Sequence, residues 1–204
     1  MSRSHFSVIL IGDSSVGKSS ILHQLTDKCL DPYGTSTIGV DYFSTTISTQ
    51  KGEVYLKIWD TAGQECYRSL AKCYYRNADI AVVVFSLTDL NSFRAVPGWV
   101  EKIREYAPPN IKIYIVGNKL DLVEKGASRC TTEENARIVL QRYRTQYIEV
   151  SSTRHADIQK LFRHIATQLP KTIQGIREPF LLAPPKMKSS ESTSDRFKNC
   201  CSIT

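Results

Sequence analysis

Eight consecutive residues near the N-terminus, GDSSVGKS from Gly12 to Ser19, fit the spacing G-x-x-x-x-G-K-[ST]. Those residue types at that spacing suit one chemistry. Gly12 and Gly17 let the backbone through Asp13, Ser14, Ser15 and Val16 curl, so that successive N–H groups point inward at the oxygens of a phosphate chain. A helix opening just after the loop adds positive potential at the same place. Lys18 then supplies a cation for the outer phosphates, and Ser19 a hydroxyl ligand for Mg²⁺. A second segment completes the metal site. In LKIWDTAG, Leu56 to Gly63, Asp60 stands at the end of a strand-like run. A carboxylate there can hold Mg²⁺ through water on the side opposite Ser19.

A third cluster reads as a base site. Asn118-Lys119-Leu120-Asp121 follows an apolar run that ends at Val116-Gly117. The Asp121 carboxylate can accept from both N1–H and N2–H₂ of guanine. Adenine offers no such pair of donors and would leave Asp121 unmatched, a difference that can discriminate by roughly 10⁴–10⁵-fold. The motif is short, and its position downstream of a phosphate loop is what makes it specific.

These residues need a frame, and the chain supplies one in alternating strand and helix signals over residues 5–170. Val8 to Ile11, Ile80 to Phe85, Ile111 to Val116 and Tyr147 to Val150 are short apolar runs. Such runs are expected where helices cover both faces of a parallel sheet. Val54, Leu56 and Ile58 alternate with Tyr55, Lys57 and Trp59 after a Gln50-Lys51-Gly52 turn, which predicts a hairpin with Tyr42 to Thr49. Ile158, Leu161, Phe162, Ile165 and Leu169 form a helical stripe. Thr131 to Glu134 has capping-box spacing, which predicts a helix with Ile138, Val139 and Tyr143 on its buried face. Phe93, Val96, Trp99, Val100 and Ile103 form another core face, but Pro97-Gly98 lies inside it, so a kink or a restart at Pro97 is expected. Trp99 reads as core. The sum is a doubly wound α/β sheet, mostly parallel with one antiparallel strand.

Composition excludes several classes. The 204 residues are 41% apolar and 23% charged, which suits one folded core rather than a disordered chain. The longest apolar run is far short of the roughly 20 residues of a spanning helix, and the N-terminal patch is too short for a secretory signal, so an intracellular protein is expected. The formal charge of +7 comes without a basic stripe interleaved with aromatics, which speaks against nucleic acid. Cys29, Cys66, Cys73 and Cys130 are scattered singly, without zinc spacing and without the context for a disulfide framework. After about residue 171 prolines give way to a Lys- and Ser-rich stretch that cannot build a core. The expected division is therefore a folded domain over 1–170 and a flexible tail over 171–204.

Taken together, GDSSVGKS, Ser36-Thr37-Ile38-Gly39-Val40-Asp41, IWDTAGQE (Ile58 to Glu65), Tyr74 to Ala78, Gly117 to Asp121, Glu149 to Ser152 and the terminal Cys200-Cys201 resemble the Rab family of Ras-like small GTPases. The resemblance implies a six-stranded sheet of the P-loop NTPase type, GTP or GDP as ligand and Mg²⁺ as cofactor. It implies nucleotide contacts from Gly12 through Ser20, and at Thr37, Gly63, Asn118, Lys119, Asp121, Ser151 and Ser152. Ser19, Thr37 and Asp60 would hold the metal. Gln64, with Lys18 and Thr37, would serve the attack of water on the γ-phosphate, Gln64 by orienting that water. Ser152 would offer its N–H to guanine O6. No built-in arginine finger is evident, so turnover is expected to be slow until a partner raises it by roughly 10³–10⁵-fold. Residues about 31–41 and 61–76 would then change arrangement with the nucleotide.

The resemblance further implies a monomer that meets an exchange factor, a GTPase-activating protein, effectors, an escort protein and a dissociation inhibitor. Cys200 and Cys201 would carry prenyl groups, two of which anchor stably where one does not, and the chain would divide its time between cytosol and the cytoplasmic face of vesicles, endosomes or Golgi. Some positions depart from the family. Leu30 replaces an aromatic that stacks on guanine, Gly34 a tyrosine, Cys66 an arginine, Ser152 an alanine and Thr153 a lysine. Leu30 and Thr153 predict a looser base and faster nucleotide exchange. Two alternatives stay open from the sequence: a nucleotide-bound docking module that barely cycles, and a P-loop phosphotransferase acting on a small molecule.

Overall fold

β1 (Ser4–Ile11) ends where Gly12 begins, and α1 (Lys18–Leu25) starts as soon as the loop has turned. This computed structural model describes residues 4–26, 40–61 and 74–170, all within one compact unit, Met1–Ile173. Leu30, Gly34, Thr37, Gly63, Gln64, Cys66 and the segment 171–204, with Cys200 and Cys201, lie outside the described residues. The remaining elements follow as β2 (Val40–Thr49), β3 (Gly52–Thr61), β4 (Ile80–Ser86), α2 (Leu90–Tyr106), β5 (Lys112–Asn118), α3 (Leu120–Glu124), α4 (Glu133–Gln141), β6 (Gln146–Glu149) and α5 (His155–Thr167).

The strands form one six-stranded sheet in the order β2-β3-β1-β4-β5-β6. Only the β2–β3 pair is antiparallel, with Tyr42 opposite Trp59 and Thr49 opposite Gly52. The predicted hairpin and the mostly parallel, doubly wound sheet are thus both present. β1 lies between β3 and β4, so the chain reverses its direction of winding there, and the loop after β1 opens at the switch point where ligands of such sheets bind.

Each face of the sheet carries its own core. On one side Val8, Leu10, Leu56, Ile58, Val82 and Val116 pack against α1 and the Ile158–Leu161–Phe162–Ile165 stripe of α5. On the other, Ile9, Ile11, Val83, Phe85 and Ile115 meet α2 and α4. All seven residues of β4 are buried, as a central parallel strand requires.

Two helices refine the expectation. Of the kink or restart expected at Pro97, the restart does not occur, since α2 is one helix through that residue. A proline inside a helix costs about 3 kcal/mol. Val96, Val100 and Ile103 are fully buried around it, and burying each such side chain contributes about 1.5–3 kcal/mol, so packing outweighs the local defect. In α4 the buried face is Ala136 and Leu140, continued by Tyr143 just past its end, whereas Ile138 is 62% and Val139 40% exposed. The cap also lies one residue further on, since Thr132 rather than Thr131 accepts from the Asn135 N–H. Ala136, Leu140 and Tyr143 are spaced i, i+4, i+7 and share one face, which Ile138 and Val139 do not join. Among the described residues no helix is long and apolar enough to cross a membrane.

Candidate nucleotide-binding site

The loop after β1 is shaped by two glycines. Gly12 has φ +140°, and a Cβ on it would lie 2.1 Å from the Val84 carbonyl oxygen. Gly17 has φ +96°, and a Cβ there would lie 2.3 Å from Asn118 Nδ2. No side chain can replace either without moving β4 or the buried Asn118. Ser15 also takes a left-handed φ of 62°. Ser14 and Ser15 face solvent, Val16 is buried beneath the turn, and Ser20 sits half-buried in the first turn of α1. The first N–H groups of that helix have no carbonyl of their own helix to meet, which leaves donors and a positive helix end at the loop.

Lys18 reaches back over this loop. Its Nζ donates to the Gly12 carbonyl at 2.9 Å and to the Asp13 carbonyl at 2.7 Å. Burial lowers its pKa to about 8, against the opposing pull of Asp60 and Asp13. The cation is therefore held in place but poorly hydrated, and an anion brought to it would meet little competition from water. Beside it, Ser19 Oγ donates to Asp60 Oδ2 at 2.5 Å, and Asp60 is only 3% exposed at the end of β3. A hydroxyl and a carboxylate are the hard oxygen donors that Mg²⁺ takes, and such ions draw their other ligands from substrate phosphates and water.

The base cluster is joined to this loop by one side chain. Asn118 is fully buried. Its Nδ2 donates to the Val16 carbonyl at 2.9 Å and to Ser152 Oγ at 3.3 Å, while its Oδ1 accepts the Ser152 N–H at 2.9 Å. The Ser152 N–H is thus directed at Asn118. Lys119 takes a left-handed φ of 68° ahead of α3, which brings Asp121 round towards β6. Asp121 Oδ1 accepts Ser151 Oγ–H at 2.5 Å, and Lys125 Nζ stands 4.0 Å from Oδ2. The Ser151 N–H donates to Asp157 Oδ2 at 3.0 Å, which ties the loop to the start of α5. Four strand ends, those of β1, β3, β5 and β6, therefore carry Gly12–Ser20, Asp60, Asn118–Asp121 and Ser151–Ser152 to one edge of the sheet.

Two features were not visible in the sequence. Trp99, read there as core, is half-buried, and its indole Nε1–H donates to Asp13 Oδ1 at 2.8 Å, which fastens α2 to the phosphate loop. On the β2–β3 ribbon the Tyr42, Trp59 and Tyr74 rings lie side by side, 5.2 Å and 4.8 Å apart between centroids, with Lys57 Nζ 4.5 Å from both Tyr42 and Trp59. Tyr42 is 56% exposed, so the stack is open to a partner. The outward alternation of the hairpin was the available signal, but Tyr74 joins it from a distant part of the chain.

Comparison with known proteins bears on this arrangement. The profile of the Ras family matches residues 7–171. The human Ras-related protein Rab-22A is 35% identical over 194 residues, covering 95% of this chain and 96% of that protein. The maize GTP-binding protein YPTM1 is 33% identical, with 97% of this chain and 96% of its own length covered. The human Ras-related protein Rab-30 is 35% identical over 164 residues, 80% of this chain and 79% of that protein.

Proposed function

Because this chain belongs to the Ras family and is a small GTPase of Rab type, we propose that it cycles between GTP- and GDP-bound forms with the edge described above as its nucleotide site. Guanine-nucleotide binding and a part in membrane traffic go with the family.

The single observation that carries it is the Asn118 bridge. One buried amide links Val16 in the phosphate loop to Ser152 in the base loop, which holds the phosphate-binding and base-reading groups at a fixed separation, as a nucleotide spanning both requires. In this reading backbone N–H groups of residues 13–20 and Lys18 hold the phosphates, and Asp121, supported by Ser151, accepts from the guanine edge. Ser19 and Asp60, joined by Thr37, would hold Mg²⁺, which when bound would supply positive charge beside the phosphate oxygens. Gln64 orients water for in-line attack on the γ-phosphate, and the Gly63 N–H meets that phosphate. No covalent intermediate on the protein is needed; positioning and charge neutralisation suffice.

Hydrolysis then releases the contacts made through Thr37 and Gly63, and effectors distinguish the two forms. The Tyr42–Trp59–Tyr74 stack offers them a preformed apolar contact. An exchange factor and a GTPase-activating protein set the rates, while an escort protein and a dissociation inhibitor handle a chain prenylated at Cys200 and Cys201, whose two lipids anchor it at cytoplasmic membrane faces until the inhibitor returns it to the cytosol. Within the same reading Leu30 lets GDP leave faster than an aromatic would, and Leu30→Phe slows that release.

Calorimetry of the full chain with GDP, GTP and ADP, each with Mg²⁺, is the first test. Tight binding of both guanine nucleotides and none of ADP is expected. Failure to bind any guanine nucleotide refutes the reading. A single-turnover assay of phosphate release, with Gln64→Leu as the slowed control, then reads the hydrolytic step.

A further inference from the structure

Ser151 Oγ sits at the centre of a hydrogen-bond chain whose direction can be deduced. The Asp121 carboxylate only accepts, so at 2.5 Å the Ser151 hydroxyl must donate to it. A hydroxyl has one proton, so the Ser151 oxygen is left as an acceptor. Two donors reach it, and both belong to Thr153: its N–H at 3.2 Å and its Oγ1 at 2.7 Å. Since the proton of Ser151 is already committed, the short contact between the two hydroxyls runs from Thr153 to Ser151. The relay is therefore Thr153 Oγ1–H to Ser151 Oγ–H to Asp121 Oδ1.

We propose that Thr153 is a positioning residue for guanine recognition, acting through Ser151 to fix the rotamer of Asp121. This rests on the reading of Asp121 as the group that meets the guanine edge, and adds to it a residue at which the family resemblance leads one to expect lysine. With both acceptor sites of Ser151 filled from one residue, the serine hydroxyl has a single low-energy rotation, and it points at Asp121. Hydrogen bonds that follow one another in this way polarise each other, so the donation to Asp121 is strengthened as well as aimed. The carboxylate, held at Oδ1, keeps one orientation in which its remaining lone pairs face outward for N1–H and N2–H₂. Thr153 itself is exposed, so its hydroxyl has no packing duty to confuse with this one. The replacement of lysine by threonine, which from sequence predicts only a looser base, here adds a specific support to the base-reading group.

The test uses the ratio of affinities for GDP and for inosine diphosphate, which lacks the N2–H₂ donors and so reports on Asp121 alone. The full chain with Mg²⁺ is titrated with each. Wild type prefers GDP. Thr153→Val removes the hydroxyl at nearly constant shape, and the GDP preference shrinks by a few-fold to about tenfold, the worth of one hydrogen bond. Thr153→Ser keeps the hydroxyl and restores the ratio. A merely structural role would weaken both ligands equally, so an unchanged ratio in Thr153→Val, or a Thr153→Ser ratio no better than that of Thr153→Val, overturns the proposal. Wild type with equal affinity for the two diphosphates would instead overturn the guanine reading of Asp121, and the proposal with it.

Discussion

The two ends of the site are built from different materials. The phosphate end is backbone and buried charge: Gly12 and Gly17 in conformations and spaces that accept no Cβ, a helix N-terminus, and a Lys18 that touches two carbonyls. The base end is a network of side chains, in which Asn118, Asp121, Ser151, Ser152 and Thr153 hold one another. The difference teaches where variation can enter. Backbone has no substitutes, so the phosphate end admits change only by distortion, whereas a hydroxyl network can be rewired one group at a time.

Gly12→Ala is the most severe challenge to that contrast. The new methyl would stand 2.1 Å from the Val84 carbonyl, and the positive φ adds strain. A loss of at least about 3 kcal/mol in urea unfolding is expected, with no measurable GDP binding. A folded, binding-competent Gly12→Ala protein would end the comparison. Next comes Lys18→Met, which removes the buried cation while keeping much of its bulk. GDP affinity in calorimetry is expected to fall by about 100-fold or more, the loss of two or more charge-assisted bonds to phosphate.

A pH series sharpens the same point without mutation. In the free protein Lys18 has its pKa lowered to about 8 by burial, and a phosphate chain beside it would raise it again. Binding above pH 8 must therefore take up a proton, and GDP affinity should fall by up to about tenfold per pH unit there. Titrations in two buffers of different ionisation heat measure the uptake directly. Stability of the free protein moves the other way. Between about 8 and the ordinary 10.5 the unfolded chain keeps a proton that the folded chain has lost, so Lys18 makes unfolding harder as pH rises through that window. The smallest effect is expected from Trp99→Phe, which keeps the ring and deletes the bond to Asp13. A few-fold faster release of GDP is expected, as befits one hydrogen bond at about 1 kcal/mol. An effect as large as that of Lys18→Met would mean that a neutral side-chain bond matters at the phosphate end as much as the buried cation does.

Legibility of the sequence followed the same division. The phosphate loop could be read because the backbone it needs leaves glycine, lysine and serine at fixed spacing. The strands of the parallel sheet could be read because burial on both faces leaves unbroken apolar runs, and α5 because its stripe repeats over about three turns. α4 could not, since nine residues offer too few repeats to fix a face, and Ile138 and Val139 are apolar without being inside. Pro97 marked a defect whose cost is local and whose compensation, the burial of Val96, Val100 and Ile103, is tertiary. Trp99 to Asp13 and Tyr74 to Trp59 join residues far apart in the chain, and no local pattern announces such pairs. The Thr153 relay was hidden for a different reason: a hydroxyl's partners depend on a turn of three residues whose shape composition does not specify.

The hairpin register has one more consequence. Val40 faces Thr61 and Asp41 faces Asp60, so the stretch that precedes β2 and the stretch that follows β3 leave the sheet from the same rung, about 5 Å apart. Those two stretches hold Thr37 on one side and Gly63 and Gln64 on the other. Whatever tugs on either root pulls on a common hinge pin, and the buried Asp60 is set one rung below it.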